Sequence, residues 1–170
     1  MLLRAITPSE MVSSVVDIDL DELSRRGIRG ILLDFDNTLL PWSGTKVSVE
    51  VRRWVRRAQA RGFRLCIVSN APNKRLAQQA NNLRIPFISK AFKPTGKGIG
   101  RALELLGLNC SETTMVGDQM FTDVLAGNRM GLFTVLVHPV YEREQWWMKY
   151  VRDLERALQR HMGLHLPAVV

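Results

Sequence analysis

Cysteine is almost absent from this chain of 170 residues. The two that occur, Cys66 in an apolar run and Cys110 beside a turn, make neither a disulfide framework nor a zinc-type spacing. That excludes a disulfide-stapled module and fits a reducing, cytosolic compartment. Long hydrophobic runs are also missing. No uninterrupted apolar stretch is long enough to span a bilayer, and the segment from Met1 to Pro8 has no apolar signal core. The chain is therefore expected to be neither exported nor integral to a membrane. Acidic residues are the scarcer charge, 16 against 24 Lys and Arg, which gives a net charge of +8 and a pI of about 10.2. Such a surface attracts polyanions, but charge alone does not choose between nucleic acid, acidic lipid headgroups and phosphorylated small molecules.

What is present is enough apolar material, 46% of residues, to bury one proper core. A single domain over 1–170 is expected, with a helical amino-terminal segment (1–28), a catalytic core (29–138) and a carboxyl-terminal helix and tail (139–170). Thr7-Pro8-Ser9-Glu10 has the form of a capping box with proline at the first helical position, so a helix is expected from there toward Val15. Asp21 to Arg26 adds a turn stopped by Gly27. Ile31-Leu32-Leu33 is short and wholly apolar, as in a strand buried on both faces. Strands are also expected at Phe63–Val68, Pro86–Ile88, Thr113–Val116 and Phe133–Val137. Helices alternate with them over Val47–Arg61, Asn73–Leu83, Gly98–Leu106 and Phe121–Met130. This alternation predicts an α/β fold of the Rossmann-like, doubly wound kind: a mainly parallel sheet with helices on both faces. Ligands bind such sheets beyond the carboxyl ends of the strands, so polar residues placed there carry the most weight.

Those positions hold Asp34-Phe35-Asp36-Asn37-Thr38-Leu39, then Ser69-Asn70, then Lys93-Pro94, then Gly117-Asp118-Gln119 with Thr122-Asp123. Singly, each is an ordinary turn or strand exit. In this order they resemble the four motifs of the haloacid dehalogenase superfamily, and Asp-x-Asp-Asn-Thr-Leu resembles its subfamily IIIA phosphatases. The resemblance implies a magnesium-dependent phosphomonoester hydrolase. Asp34 would be the nucleophile, forming an aspartyl-phosphate that divides a hard hydrolysis into two easier steps. Asp36 would give a proton to the leaving oxygen and later take one from water. Thr38, Ser69, Asn70 and Lys93 would hold the phosphoryl group, where fixed positive charge matters most. Mg2+ would be held by Asp34, the backbone carbonyl of Asp36 and Asp118, with Asp123 orienting Lys93 or bound water.

The same resemblance bears on the substrate. The segments Leu40–Ser69 and Asn70–Lys93 are each filled by one helix and one strand, which leaves no room for the cap modules of this superfamily. An uncapped site favours a phosphate projecting from something large. The amino-terminal proline, Lys93-Pro94 and Gly117-Asp118-Gln119-x-x-Thr122-Asp123 resemble the YqeG-like bacterial phosphatases. These are related to the organellar phosphatases of phosphatidylglycerophosphate, so an anionic lipid headgroup is the implied substrate, with a cytoplasmic chain open to peripheral attachment on the inner face of a membrane.

Two features leave alternatives open. Arg52, Arg53, Arg56, Arg57 and Arg61 on one predicted helix read either as a solvated face or as a binding patch. A stripe from Trp146 and Trp147 through Tyr150, Leu154, Leu158 and Met162 reads either as a helix closing the domain or as one lying in a membrane interface. A nucleic-acid 3′-phosphatase, with Trp42 as a stacking residue, and a protein phosphatase are the enzymatic rivals, nucleic acid being the less favoured partner. A phospho-accepting scaffold is the non-enzymatic one. His138 is set aside as structural or solvated.

Overall fold

In the computed structural model, which describes residues 2–71, 74–140 and 146–164, the elements run in the following order. The amino-terminal part holds α1 (Leu2–Ile6), β1 (Glu10–Val12), a 3-10 turn at Val15–Asp17, α2 (Leu20–Arg25) and β2 (Gly30–Leu33). Then come α3 (Val49–Ala60), β3 (Arg64–Val68), α4 (Lys74–Leu83), β4 (Phe87–Ile88) and α5 (Lys97–Leu106). The chain continues through β5 (Thr113–Gly117), a π-helical turn at Met120–Val124, α6 (Leu125–Met130), β6 (Phe133–Val137) and α7 (Trp146–His161). The helix starts expected at Asn73 and Glu142 fall on residues outside those described.

The strands form one parallel sheet in the order β1-β6-β5-β2-β3-β4. The chain winds outward from β2 through β3 to β4, then crosses back to β5 and winds the other way through β6. The reversal of order therefore falls between β2 and β5, and the crevice of a doubly wound sheet opens there at the carboxyl ends. Leu33 is in register with Ile67 on one side and Val116 on the other, so Asp34, Ser69 and Asp118 leave the sheet at nearly one level.

Alternation along the strands sends side chains to two cores. Ile31, Leu33 and Ile67 join Trp54, Val55 and Leu76 on the face of α3 and α4, whereas Leu32, Cys66 and Met115 join Ile99, Ala102 and Ala126 on the face of α5 and α6. All of β2 is buried, as its apolar run required. Close approach fixes one helix: a Cβ on Gly98 would lie 2.5 Å from the Cα of Ala91, so only glycine lets α5 start against the β4 loop.

The amino-terminal segment differs from its expectation. Pro8 to Val15 is not a helix; Glu10–Val12 pairs in parallel with Val135–Val137 as β1, and the helix lies earlier, at Leu2–Ile6. The capping-box residues have other tasks. Thr7 Oγ1 donates to Leu3 O at 2.7 Å, closing α1, and Ser9 N donates to Thr134 O at 2.9 Å. The edge of β6 offers unpaired backbone groups that a strand satisfies and a helix does not, and this long-range demand overrides the local signal.

The tail helix packs on the domain. Leu158 and Met162 lie against a cluster of Ile6, Met120, Val124, Leu125 and Leu136, and the buried Glu155 accepts from Phe121 N at 3.2 Å. Its outer side leaves Tyr150 and Leu154 exposed. The side chains of Trp146 and Trp147 lie outside those described.

Candidate active site

The loop after β2 carries the first group of side chains. Leu39 N donates back to Phe35 O at 3.1 Å and Asn37 N to Leu40 O at 2.8 Å, curling the chain tightly. Asn37 takes a positive φ of 64°, a conformation asparagine tolerates better than most residues. Its Oδ1 accepts from Trp42 N at 3.0 Å, and its carbonyl accepts from Val140 N at 2.8 Å.

Lys93 reaches the crevice from the β4 side and lies at its centre. Its side chain is 2% exposed, and Nζ donates to Asp34 Oδ1 at 2.6 Å, Asp123 Oδ1 at 2.7 Å and Val68 O at 2.8 Å. Three acceptors match the three hydrogens of an ammonium. Asn70 anchors this lysine from behind: its Nδ2 donates to Lys93 O at 3.1 Å and its Oδ1 accepts from Lys93 N at 2.8 Å.

Asp123 lies on the π-helical turn after β5, where Oδ2 accepts from Gln119 N at 3.1 Å. It is pressed against the strand end, because a Cβ on Gly117 would fall 2.3 Å from its Cγ. Any larger residue at Gly117 would displace the carboxylate that Lys93 meets. Asp118 Oδ1 accepts from Thr38 Oγ1 at 3.3 Å. The buried Ser69 accepts from Ala71 N at 3.2 Å through Oγ, which leaves its O–H to donate to another group.

Asp34, Asp118 and Asp123 are all buried and offer oxygens within 4.8 Å of one another. Among the described residues, three buried carboxylates gather beside the Lys93 ammonium in a low-dielectric crevice. That set of hard oxygen donors fits a divalent cation. The electrostatics agree: burial, reinforced by Asp123, pushes the Asp34 carboxyl up to about 6 although Lys93 pulls the other way. Burial opposes the charge on Lys93, yet Asp123 and Asp34 outweigh it and hold the ammonium protonated.

Asp36 is paired outside the carboxylate cluster but stays within electrostatic reach of it. It forms an ion pair with Arg75 Nη2 from the first turn of α4, and burial raises its carboxyl while the Arg75 and Lys93 charges lower it. Arg75 Nη1 also donates to Trp42 O and, at 2.7 Å, to Gly44 O, and the guanidinium lies 5.3 Å over the Phe35 ring. The structure thus brings Asp34, Thr38, Ser69, Lys93, Asp118 and Asp123 together, places Asn70 behind Lys93, and keeps the Asp36 side chain with Arg75. Sequence reasoning missed Arg75. Its only signal was its place in the first turn of a helix that starts at the carboxyl edge of the sheet.

A doubly wound parallel sheet with a buried carboxylate–lysine cluster at its switch point defines the class: a phosphatase of the haloacid dehalogenase type. The chain belongs to the haloacid dehalogenase-like hydrolase family, whose sequence profile matches residues 40–131. It is 35% identical over 158 residues to the probable phosphatase YqeG of Bacillus subtilis, covering 93% of this chain and 92% of that protein. It is also 31% identical over 165 residues to the chloroplastic/mitochondrial phosphatidylglycerophosphate phosphatase 1 of Arabidopsis thaliana, covering 90% of this chain but 47% of that longer protein. Among solved structures, the cobalt-bound deoxy-D-mannose-octulosonate 8-phosphate phosphatase of Haemophilus influenzae shares the fold, with a TM-score of 0.54 at 13% identity over 81% of this chain and 91% of that one.

Proposed function

We propose that the chain is a magnesium-dependent phosphomonoester hydrolase that works through an aspartyl-phosphate on Asp34 and acts on the headgroup phosphate of phosphatidylglycerophosphate. The observation that carries the chemistry is the buried Lys93 ammonium shared between Asp34 and Asp123. Asp34 attacks the phosphorus. Lys93, the Ser69 hydroxyl and the backbone amide of Thr38 hold the phosphoryl oxygens, the Thr38 hydroxyl being given to Asp118. Asp123 keeps Lys93 in place and protonated, and Asn70 fixes the backbone from which that lysine reaches. Asp36 protonates the leaving oxygen and then takes a proton from the water that opens the aspartyl-phosphate. Mg2+ would be held by Asp34, Asp118 and the Asp36 carbonyl, and when bound it offsets the charge of carboxylates and phosphoryl group alike.

The lipid reading draws on the relative in Arabidopsis, on the net charge of +8 and on the open site. Among the described residues no cap module stands between β2 and α3 or between β3 and α4. The deciding experiment compares phosphate release from phosphatidylglycerophosphate in mixed micelles with release from a 3′-phosphorylated oligonucleotide, with magnesium. Preference for the lipid by orders of magnitude supports the reading; preference for the oligonucleotide overturns it.

Magnesium should stabilise the fold in a pH-dependent way. In the metal-free protein Asp34 carries a proton below about 6, which a cation has to displace. The rise in Tm on adding Mg2+ is therefore expected to be large at pH 8 and much smaller at pH 5. Equal shifts at both pH values would argue that Asp34 is not a ligand.

Arg75 should matter most where leaving-group protonation matters, since it holds Asp36. Arg75→Ala is expected to slow hydrolysis of alkyl phosphates about 100-fold, the scale of one misplaced acid, and that of p-nitrophenyl phosphate only severalfold. Equal losses on both substrates would show that Arg75 does not act through Asp36.

A further inference from the structure

The carboxyl end of the sheet, where the site opens, is also where bulky apolar side chains stand in solvent. Trp42 follows the β2 loop, Phe92 immediately precedes Lys93, and Val140 follows β6; they are 48%, 61% and 48% exposed. They share one rim. Trp42 and Val140 are both hydrogen-bonded through their backbones to Asn37, and Phe92 adjoins the lysine that meets Asp34. Large apolar groups left in water at one edge of a molecule mark an interaction surface.

The loop segments that carry Trp42 and Phe92 are basic, while Glu142 and Glu144 follow Val140 in the chain. Segments 41–48, 89–97 and 138–140 contain no Asp or Glu, and Lys46, Lys90 and Lys97 are exposed on the first two. The apolar groups stand on separate loops as protrusions among cations, unlike the continuous buried patch of a stable protein interface. Aromatic wedges at headgroup depth flanked by lysines suit an anionic lipid surface.

We propose that this rim, rather than the tail helix, is a membrane-docking surface: Trp42, Phe92 and Val140 insert among the headgroups of an anionic bilayer while the lysines meet the lipid phosphates. The inference rests on the lipid-phosphate reading above and extends it. Docking by the rim turns the crevice toward the membrane, so that lipid itself closes a site over which no cap module stands among the described residues. A phosphomonoester on a headgroup then reaches Asp34 without leaving the bilayer.

The test is cosedimentation of the full chain with vesicles of phosphatidylcholine alone and of phosphatidylcholine with 30% phosphatidylglycerol, beside turnover of soluble p-nitrophenyl phosphate. Wild type is expected to partition onto the anionic vesicles. Trp42→Ser with Phe92→Asn, the asparagine accepting the φ of 55° at that position, should weaken partitioning on the order of 100-fold, about tenfold per side chain. Turnover of the soluble substrate should stay unchanged, which also reports that the variant is folded. Lys90→Gln should weaken binding about fivefold. Tyr150→Ser with Leu154→Ser on the outer side of α7 should change nothing.

Undiminished vesicle binding by the Trp42/Phe92 variant overturns the proposal, and so does loss of binding confined to the Tyr150/Leu154 variant. If the Trp42/Phe92 variant instead alters the oligomeric state in sedimentation velocity and leaves vesicle binding intact, the rim is a self-association face and the proposal falls. Since binding is read on vesicles without phosphatidylglycerophosphate, failure to hydrolyse that lipid would overturn the substrate reading and leave the docking result standing.

Discussion

Asp34→Asn should abolish phosphate release from any phosphomonoester, by at least about 10,000-fold, while leaving the protein folded. The amide is nearly isosteric with the carboxylate, and its oxygen can still accept from Lys93 Nζ, so the buried lysine keeps all three partners. What is lost is the nucleophile. Stability should move in the opposite sense to activity. The folded Asp34 carboxyl titrates at about 6, above the ordinary value of 3.8 that applies in the unfolded chain, so the folded state holds its proton more tightly. A group raised in this way costs stability as pH climbs through the interval from about 4 to 6. The metal-free variant, which has no such group, should therefore gain in Tm relative to wild type between pH 4 and pH 8. Steady-state assays and thermal melts on the same preparations check both claims. Residual turnover at wild-type rates would remove Asp34 from the nucleophile's position.

The second large effect is at Lys93. Lys93→Met takes one ammonium from between Asp34 and Asp123 and leaves two buried carboxylates facing each other. Breaking a buried pair by removing one partner costs about 3–5 kcal/mol, which in a domain of this size lowers Tm by on the order of 10 °C. Phosphatase activity should fall about 1,000-fold, the scale for losing a fixed charge that faces the transition state. The pH dependence distinguishes this account from a simple packing defect. Without the lysine, Asp34 is raised further, so the variant is penalised most where both carboxylates are ionised. The loss in Tm should be greatest at pH 8 and should shrink at pH 5, and Mg2+ should recover part of it at the higher pH. A loss independent of pH would mean that methionine is merely a poor fit.

Both predictions concern residues that stand out in the linear chain, and the reason is geometric. A doubly wound sheet gathers the carboxyl ends of its strands, so residues following separate apolar runs meet whatever the details of the helices between them. Asp34 after Leu33, Ser69 after Val68 and Asp118 after Gly117 could be read on that rule. Lys93 could not be placed by it alone, since it enters through the loop after the two-residue strand Phe87–Ile88. Its motif, rather than its periodicity, pointed to it.

Local signals failed where a distant partner outbid them. Thr7-Pro8-Ser9-Glu10 carries every mark of a helix start, yet Ser9 and Glu10–Val12 answer the open edge of β6 more than 120 residues away. Arg75 gave no warning because an arginine near a helix start is unremarkable until the β2 loop curls beneath it and presents Asp36 and three carbonyls. The tail stripe admitted either of two partners, and the docking of Glu155, Leu158 and Met162 chose the domain.

By itself, then, the sequence determined the alternation of strands and helices, the two-sided burial of the central strand and the residue types at the strand ends. These follow from short-range periodicity and from chemistry that only carboxylates and lysine can supply. The tertiary structure alone decided the strand order with its switch between β2 and β5, the addition of β1 to the sheet, the sharing of Lys93 between two aspartates, the hold of Arg75 on Asp36, and the apolar rim at the mouth. Each of these depends on which surfaces meet across long separations in the chain, where burial and backbone pairing outweigh any local preference.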